Sequence, residues 1–311
     1  MGTGDALDVR RVAGIIETQF PHLGTLSVLP LGEGCDSIAF LVNDTWVFRF
    51  PKRAEVERQL AVEARILPVL ATTAPLPIPV FCFHGLPSAT FRRPFAGYAR
   101  LPGVPGIQWE PANVPFHLLA PKLARFLSWL HAFSVDEAIR CGVPQQPIAA
   151  RLDEIRAEAI ADFESVRKVA PEAPLEAWHH TLQSGCDIAT APRALATLVH
   201  NDLAAEHILL DPATQSITGI VDWSDIAIGD PAADLAGVFH WGGEALVQAV
   251  LATYVPPIDA GVMSRARFLG ACRGVADVTF GRETGRQEYV RAGIRALGLC
   301  AGAVHGERYS R

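Results

Sequence analysis

The 311-residue chain lacks several features that would narrow its class at once. It has no uninterrupted apolar run near the ~20 residues that span a bilayer, although half of its residues are hydrophobic. Its six cysteines (Cys35, Cys82, Cys141, Cys186, Cys272 and Cys300) are scattered, with no C-x-x-C pair and no metal-ligand spacing. That argues against a disulfide framework or a thiolate metal site and for free thiols in a packed interior. The first residues, MGTGDALDVRR, hold no basic-then-apolar signal segment, and Met-Gly fits a myristoylation signal poorly, so a cytoplasmic protein without a membrane partner is expected. Internal repeats and low-complexity tracts are missing too.

A basic surplus is also lacking. The formal net charge is −6, and all of the excess falls after residue 110: residues 1–110 carry ten basic and ten acidic side chains, residues 111–311 seventeen and twenty-three. Nucleic acid is therefore not expected as a partner, whereas a cationic ligand fits, as does an ordinary solvated acidic surface.

What is present suggests two parts. In the first, Ser27–Leu31 and Ile38–Val42 are apolar runs around the turn Gly32-Glu33-Gly34-Cys35-Asp36-Ser37. Asn43-Asp44 is a turn signal before a third strand, Trp46–Phe50, closed by Pro51. Glu55–Leu70 has helical spacing, and two more strands are expected between Val80 and Leu101. The stretch Pro102-Gly103-Val104-Pro105-Gly106 marks a boundary, giving domains 1–101 and 102–311. Beyond it, Leu118–Phe133 and Ala150–Val169 read as helices. Ile208–Leu210 and Ile217–Val221 read as a hairpin turning at Asp211-Pro212, and the chain from Ala233 onward as mostly helical.

The chemistry concentrates in His200-Asn201-Asp202-Leu203-Ala204-Ala205-Glu206-His207, with Val221-Asp222-Trp223-Ser224-Asp225 after it. Phosphoryl transfer needs a carboxylate to accept a hydroxyl proton and ligands for a Mg²⁺ that bridges nucleotide phosphates. Asp202 suits the base, and His207 and Asp222 suit the metal. The turn with Gly32, Gly34 and Ser37 suits close approach to phosphates, or is a simple hairpin turn. Asp230 and Pro231 fit a helix N-cap and first helical position, Asp234 a hydrogen-bonded support for the loop, and His131 a hydrogen-bonded core position.

H-x-D-x-x-x-x-H, an apolar hairpin, V-D-W-S-D and then G-D-P-x-x-D-L resemble the aminoglycoside phosphotransferase family, relatives of protein kinases, over roughly Leu31 to Leu251. The resemblance implies an α+β, protein-kinase-like fold: an N-lobe with a small antiparallel sheet that binds nucleotide, and a larger helical C-lobe for catalysis and substrate. It also implies Mg²⁺, with GTP or ATP as donor. His207 stands where much of the family has Asn and resembles the 2″-aminoglycoside kinases and macrolide 2′-kinases. Mg²⁺ prefers oxygen, so this is a departure in ligand type. Arg49 aligns with the kinase strand lysine that bonds phosphates, with Glu63 as its helix partner, or Glu63 is a surface charge; Lys52, past Pro51, is expected to face solvent. Phe95–Gly103 resembles the hinge, where main-chain groups of Ala99 and Leu101 would meet the purine. Tyr98 there either narrows the base pocket, favouring GTP, or is a core aromatic.

For the acceptor, Asp225 lies three residues past the metal ligand, and Glu244 and Asp277 resemble acidic contacts of the 2″-kinases, which suits protonated amines. Ile226, Val238, Phe239 and Trp241 would instead suit a macrolide. An antibiotic O-phosphotransferase acting on an aminoglycoside is expected, with a macrolide 2′-kinase or a housekeeping kinase of a sugar or amino alcohol as alternatives. A monomer is expected.

Overall fold

Strict alternation of side chains gives each strand of the first hundred residues two different faces. A computed structural model describes residues 7–34, 36–148, 151–184 and 196–302. Residues 1–6, Cys35 in the glycine turn, Ala150 at an expected helix start, and Cys186 lie outside the described residues. The chain divides into two units, Met1–Leu101 and Pro102–Arg311.

In the first unit, β1 (Val28–Glu33), β2 (Ser37–Val42), β3 (Trp46–Pro51), β4 (Phe81–Gly85) and β5 (Phe95–Ala99) form an antiparallel sheet in the order β1-β2-β3-β5-β4. One face carries Phe40, Val42, Phe48, Phe50, Phe83 and Phe95. It is covered by α1 (Val9–Gln19), a helix not among the expected elements. Val12, Ile15 and Ile16 supply its apolar stripe, and the Asp8 side chain accepts from the Arg11 amide at 2.8 Å to cap it. Phe50 stacks on Phe95 with centroids 4.6 Å apart. Each fully buried ring of this kind contributes about 1.5–3 kcal/mol. The opposite face carries Leu41, Val47, Ala96 and Tyr98, packed with Leu60 of α2 (Ala54–Ala71).

The second unit is mostly helical: α3 (Phe116–His131), α4 (Val135–Arg140), α5 (Leu152–Val169), α6 (Leu175–Ser184), α7 (Ala232–Leu251), α8 (Val262–Thr284) and α9 (Gln287–Cys300). Among the described residues no helix is long and apolar enough to cross a membrane. Two small sheets interrupt the helices. The strand β7 (Thr197–Val199) pairs with β10 (Ala227–Gly229), and β6 (Val104–Pro105), β8 (Ile208–Asp211) and β9 (Ser216–Ile220) form the other. Together the ladders clamp both ends of the two loops that carry the expected chemistry. Residues 200–207 run from β7 to β8, and residues 221–226 run from β9 to β10.

Three local expectations change. The helix expected to start at Pro231 starts at Ala232. Asp230 still accepts from the Ala232 amide (2.8 Å), but it is buried and paired with Arg265 of α8 at 2.6 Å. Asp259 completes this cluster, and its two carboxylates hold the Arg265 guanidinium above its usual pKa against the opposing effect of burial. Lys52 does not simply face solvent: it pairs with Glu33 at 2.5 Å and donates to the Gly34 carbonyl at 2.7 Å. Ile226, Val238, Phe239 and Trp241 are buried core residues, at most 5 % exposed, and so do not present an apolar surface.

Candidate active site

The loop at 200–207 is held from behind by one carboxylate. Asp234, fully buried on α7, accepts from the backbone amides of His200 (3.0 Å) and Asn201 (2.7 Å). Its Oδ2 also accepts from His131 Nε2 at 3.0 Å. Because a carboxylate only accepts, that ring nitrogen carries the hydrogen, and His131 Nδ1 accepts from the Tyr254 hydroxyl at 2.7 Å. Burial first, and then Asp234, push the Tyr254 hydroxyl up, so it stays a donor. The helix also approaches the loop closely at Gly237, where a Cβ would land 1.4 Å from the Leu203 carbonyl oxygen. Only glycine fits there.

Two residues at the site take the left-handed backbone that side chains rarely adopt: Asn201 at φ 68° and Asp222 at φ 61°. Asn and Asp tolerate it best, and the clamped loop ends hold them there. The loops are also tied to each other. The Val221 amide donates to the His207 carbonyl at 2.9 Å, and His200 Nε2 donates to the Val221 carbonyl at 3.1 Å. His200 is completely buried, and burial keeps it below its ordinary pKa despite Asp234, which makes it a neutral structural ring.

These ties bring Asp202, His207 and Asp222 together. His207 Nδ1 lies 2.7 Å from the Asp202 backbone carbonyl, which can only accept, so Nδ1 is the protonated nitrogen. In the neutral ring the lone pair then sits on Nε2, 3.7 Å from Asp222 Oδ2. Burial opposes a charge on His207, but Asp202, then Glu206 and Asp222, outweigh it and raise its pKa. The surroundings thus favour a positive charge at Nε2, from a proton or from a metal. Among the described residues no three His, Cys, Asp or Glu side chains could hold an ion by themselves. A two-ligand site fits Mg²⁺, which takes few protein ligands and fills its other positions with phosphates and water. Asp225 is half-buried and shares the Ser224 hydroxyl with Asp222.

Two further charged residues join the cluster that the motif alone does not reveal. Arg273 of α8 donates from one terminal nitrogen to Asp202 Oδ1 (2.5 Å) and from the other to Glu206 Oε1 (2.7 Å). Burial opposes its charge, but the carboxylates of Asp202, Glu206 and Asp277 hold its pKa well above the ordinary value. Burial alone would push the Glu206 carboxyl up; Arg273 and then His207 pull it down to about 2. Glu206 stands inside the motif, though nothing in its spacing sets it apart. Arg273 lies seventy-one residues from Asp202 on a helix with no local signature.

Asp277 is buried one turn further along α8, its Oδ2 2.9 Å from His240 Nε2 but not aligned for a hydrogen bond. Burial raises its pKa despite that histidine. Glu244 is apart from this interior cluster. It is exposed just past the kink that Gly243 (φ 68°) puts in α7, ion-paired with Arg267 and accepting from Gln248 at 3.0 Å.

In the first unit Arg49 and Glu63 form a buried ion pair at 2.7 Å. The guanidinium has room because Arg49 stands between Ala39 and Ala96 in the ladder. Gly32 and Gly34 are exposed, neither has a positive φ, and a Cβ at either would come no closer than 3.9 Å to a neighbour. Packing therefore does not demand glycine at these positions. The Gly34 amide donates to the Ser37 carbonyl at 3.0 Å to close the turn, and Ser37 is half-buried. Tyr98 is buried beside Phe81, with ring centroids 6.1 Å apart, while Ala99 is exposed and Leu101 half-buried.

The phosphotransferase enzyme family (APH) matches residues 27–269, well over half of the chain. The chain belongs to that family. This phosphotransferase is 29 % identical over 212 residues to the viomycin phosphotransferase of Streptomyces vinaceus, covering 66 % of this chain and 67 % of the relative. A solved GDP and kanamycin complex of the aminoglycoside phosphotransferase APH(2″)-IIIa superposes with a TM-score of 0.73 at 29 % identity, over 94 % of this chain and 99 % of the other. The apoenzyme of a macrolide 2′-phosphotransferase from Brachybacterium faecium gives 0.55 at 25 % identity, over 92 % and 94 %. The kinase-like α+β fold expected from the sequence is the fold of these neighbours, and the enzyme is a kinase of small molecules.

Proposed function

We propose that this phosphotransferase moves the γ-phosphate of a nucleoside triphosphate to a hydroxyl of an antibiotic, with an aminoglycoside as the acceptor. The observation that carries the reading is the gathering of Asp202, His207 and Asp222 by two loops clamped at both ends. In the proposed step Asp202 takes the hydroxyl proton as the acceptor oxygen bonds to the γ-phosphorus. The bond from that phosphorus to the bridging oxygen breaks, and the nucleoside diphosphate leaves. His207 Nε2 and Asp222 would hold Mg²⁺, which when bound neutralises charge on the phosphate oxygens.

The nucleotide is assigned to Gly32, Gly34, Ser37, Arg49, Glu63, Tyr98, Ala99 and Leu101. Two exposed glycines that packing does not require leave room for phosphate, and the buried Arg49–Glu63 pair holds a guanidinium in a fixed orientation. GTP is the proposed donor, supported by the GDP in the kanamycin complex of the relative. Either triphosphate as donor suits a cytoplasmic enzyme.

Acceptor amines are assigned to Asp225, Glu244 and Asp277, where they would compete with Arg267 for Glu244 and with His240 for Asp277. A macrolide acceptor loses support because the apolar residues that suited it are core. The test is nucleotide consumption by the purified enzyme with panels of aminoglycosides, macrolides, sugars and amino alcohols, supplied with GTP or ATP. Turnover with an aminoglycoside is expected. Turnover confined to macrolides or to small metabolites would replace the acceptor assignment, and none with any hydroxyl compound would overturn the reading.

A further inference from the structure

Asp202 has the shortest contact of its side chain with Arg273, which reaches it from α8, an element outside both loops of the site. The guanidinium spans two carboxylates, one terminal nitrogen on Asp202 Oδ1 and the other on Glu206 Oε1. Only a planar fork with two terminal donors makes this bridge; the point charge of a lysine would have to choose one partner or sit between them. Glu206 is in turn 9 % exposed, and its second oxygen, like Arg273 Nε, is buried without a hydrogen-bond partner in the described structure. A carboxylate buried so incompletely satisfied is costly unless it is paired with a charge.

The consequence for Asp202 is geometric. Oδ1 is committed to Arg273, while among the described residues Oδ2 has the longer approach of His207 Nδ1 at 3.5 Å, and that nitrogen already donates to the Asp202 carbonyl. One oxygen is thus held and the other is left to accept a proton. We propose that Arg273, anchored by Glu206, is a positioning residue that fixes the Asp202 carboxylate so that Oδ2 faces the acceptor hydroxyl. This rests on the phosphotransfer reading above, in which Asp202 is the base. Misplacing a catalytic group by about 1 Å costs on the order of a hundredfold in rate, which sets the scale of the expected effect.

The experiment compares the wild type with Asp202→Ala, Arg273→Ala, Arg273→Lys and Glu206→Gln, using the best acceptor of the panel. It reads kcat, the KM of each substrate, nucleotide affinity and thermal stability. Arg273→Ala is expected to lower kcat by about ten- to a hundredfold with nucleotide affinity within about twofold, and added guanidinium ion is expected to recover part of the loss. Arg273→Lys keeps the charge without the fork and should also lose kcat while remaining folded; Glu206→Gln should lose less. If Arg273→Ala and Arg273→Lys keep the wild-type kcat while Asp202→Ala is inactive, Arg273 is no positioning residue and the phosphotransfer reading stands. A loss that only follows the unfolded fraction, with no recovery by guanidinium and none of it in the folded lysine variant, likewise overturns the proposal. Full activity in Asp202→Ala would remove the base itself, and the inference with it.

Discussion

The Arg49–Glu63 pair of the first unit and the Asp202–His207–Asp222 cluster of the second are both charged groups in sheltered surroundings, but they are built in opposite ways. The pair joins one strand to one helix in standard backbone geometry, and the flanking alanines leave it space. The cluster hangs on two loops containing left-handed residues and needs Asp234, the strand ladders and Gly237 to keep its shape. The pair is buried, with the Arg49 and Glu63 side chains 9 % and 1 % exposed. The cluster is partly open, with Asp202 and Asp222 side chains 30 % and 44 % exposed, and its surplus of negative charge calls for a cation. A pair of the first kind chiefly serves orientation and stability; a cluster of the second kind suits metal and proton chemistry.

The contrast predicts which changes should affect rate and which stability. The largest effect is expected from Asp202→Ala, which should cut kcat by about 10²–10⁴ while leaving nucleotide affinity and melting temperature nearly unchanged. Steady-state kinetics and calorimetry on the same preparation check this, and retention of most of kcat would place the base elsewhere. Glu63→Ala should act on stability as well as on nucleotide use. It removes the buried carboxylate that pairs with Arg49 and should cost about 3–5 kcal/mol of folding free energy, measured by denaturant unfolding. A loss well below that would mean that water or another group reaches the guanidinium.

Smaller effects sharpen the metal site. Asp222→Asn removes charge but keeps a residue that tolerates φ 61°, so the backbone should hold. Mg²⁺-dependent nucleotide binding should weaken by about tenfold or more. His207→Asn should weaken it less, because the amide offers Mg²⁺ the oxygen it prefers. A metal titration in which the order is reversed would make His207 the dominant ligand. The smallest effect concerns Tyr98, whose buried ring beside Phe81 fits a core position as well as a wall of the base pocket. Tyr98→Ala should raise ATP use relative to GTP by about fivefold, the value of roughly one hydrogen bond. An unchanged ratio of kcat/KM for the two nucleotides, with lowered stability, would leave Tyr98 a core residue only.

Much of this was legible beforehand, for reasons that differ by residue. The strands β2 and β3 follow from apolar runs bounded by turn residues, and Glu63 as the partner of Arg49 from the resemblance to the kinase plan. The helix α1 leaves little mark in the sequence, because only three core residues, Val12, Ile15 and Ile16, define its stripe in a polar stretch. Asp230 reads as a cap from Asp-Pro alone, whereas its partner Arg265 is thirty-five residues away. The apolar group Ile226, Val238, Phe239 and Trp241 suits the alternative macrolide acceptor by composition yet lies in the core, because hydrophobicity alone does not distinguish a pocket wall from a core.

The sequence by itself determined the family motif, the carboxylates and histidine that carry the expected chemistry, and the apolar hairpin between them. These depend on residue type and short spacing, which local backbone preferences translate directly into geometry. Only the tertiary structure decided which oxygen of Asp202 is held, which nitrogen of His207 bears the hydrogen, and that Arg273 and Glu206 belong to the cluster. Such facts depend on contacts between elements far apart in the chain, where hydrogen-bond direction and burial are set by packing and leave no trace in local pattern.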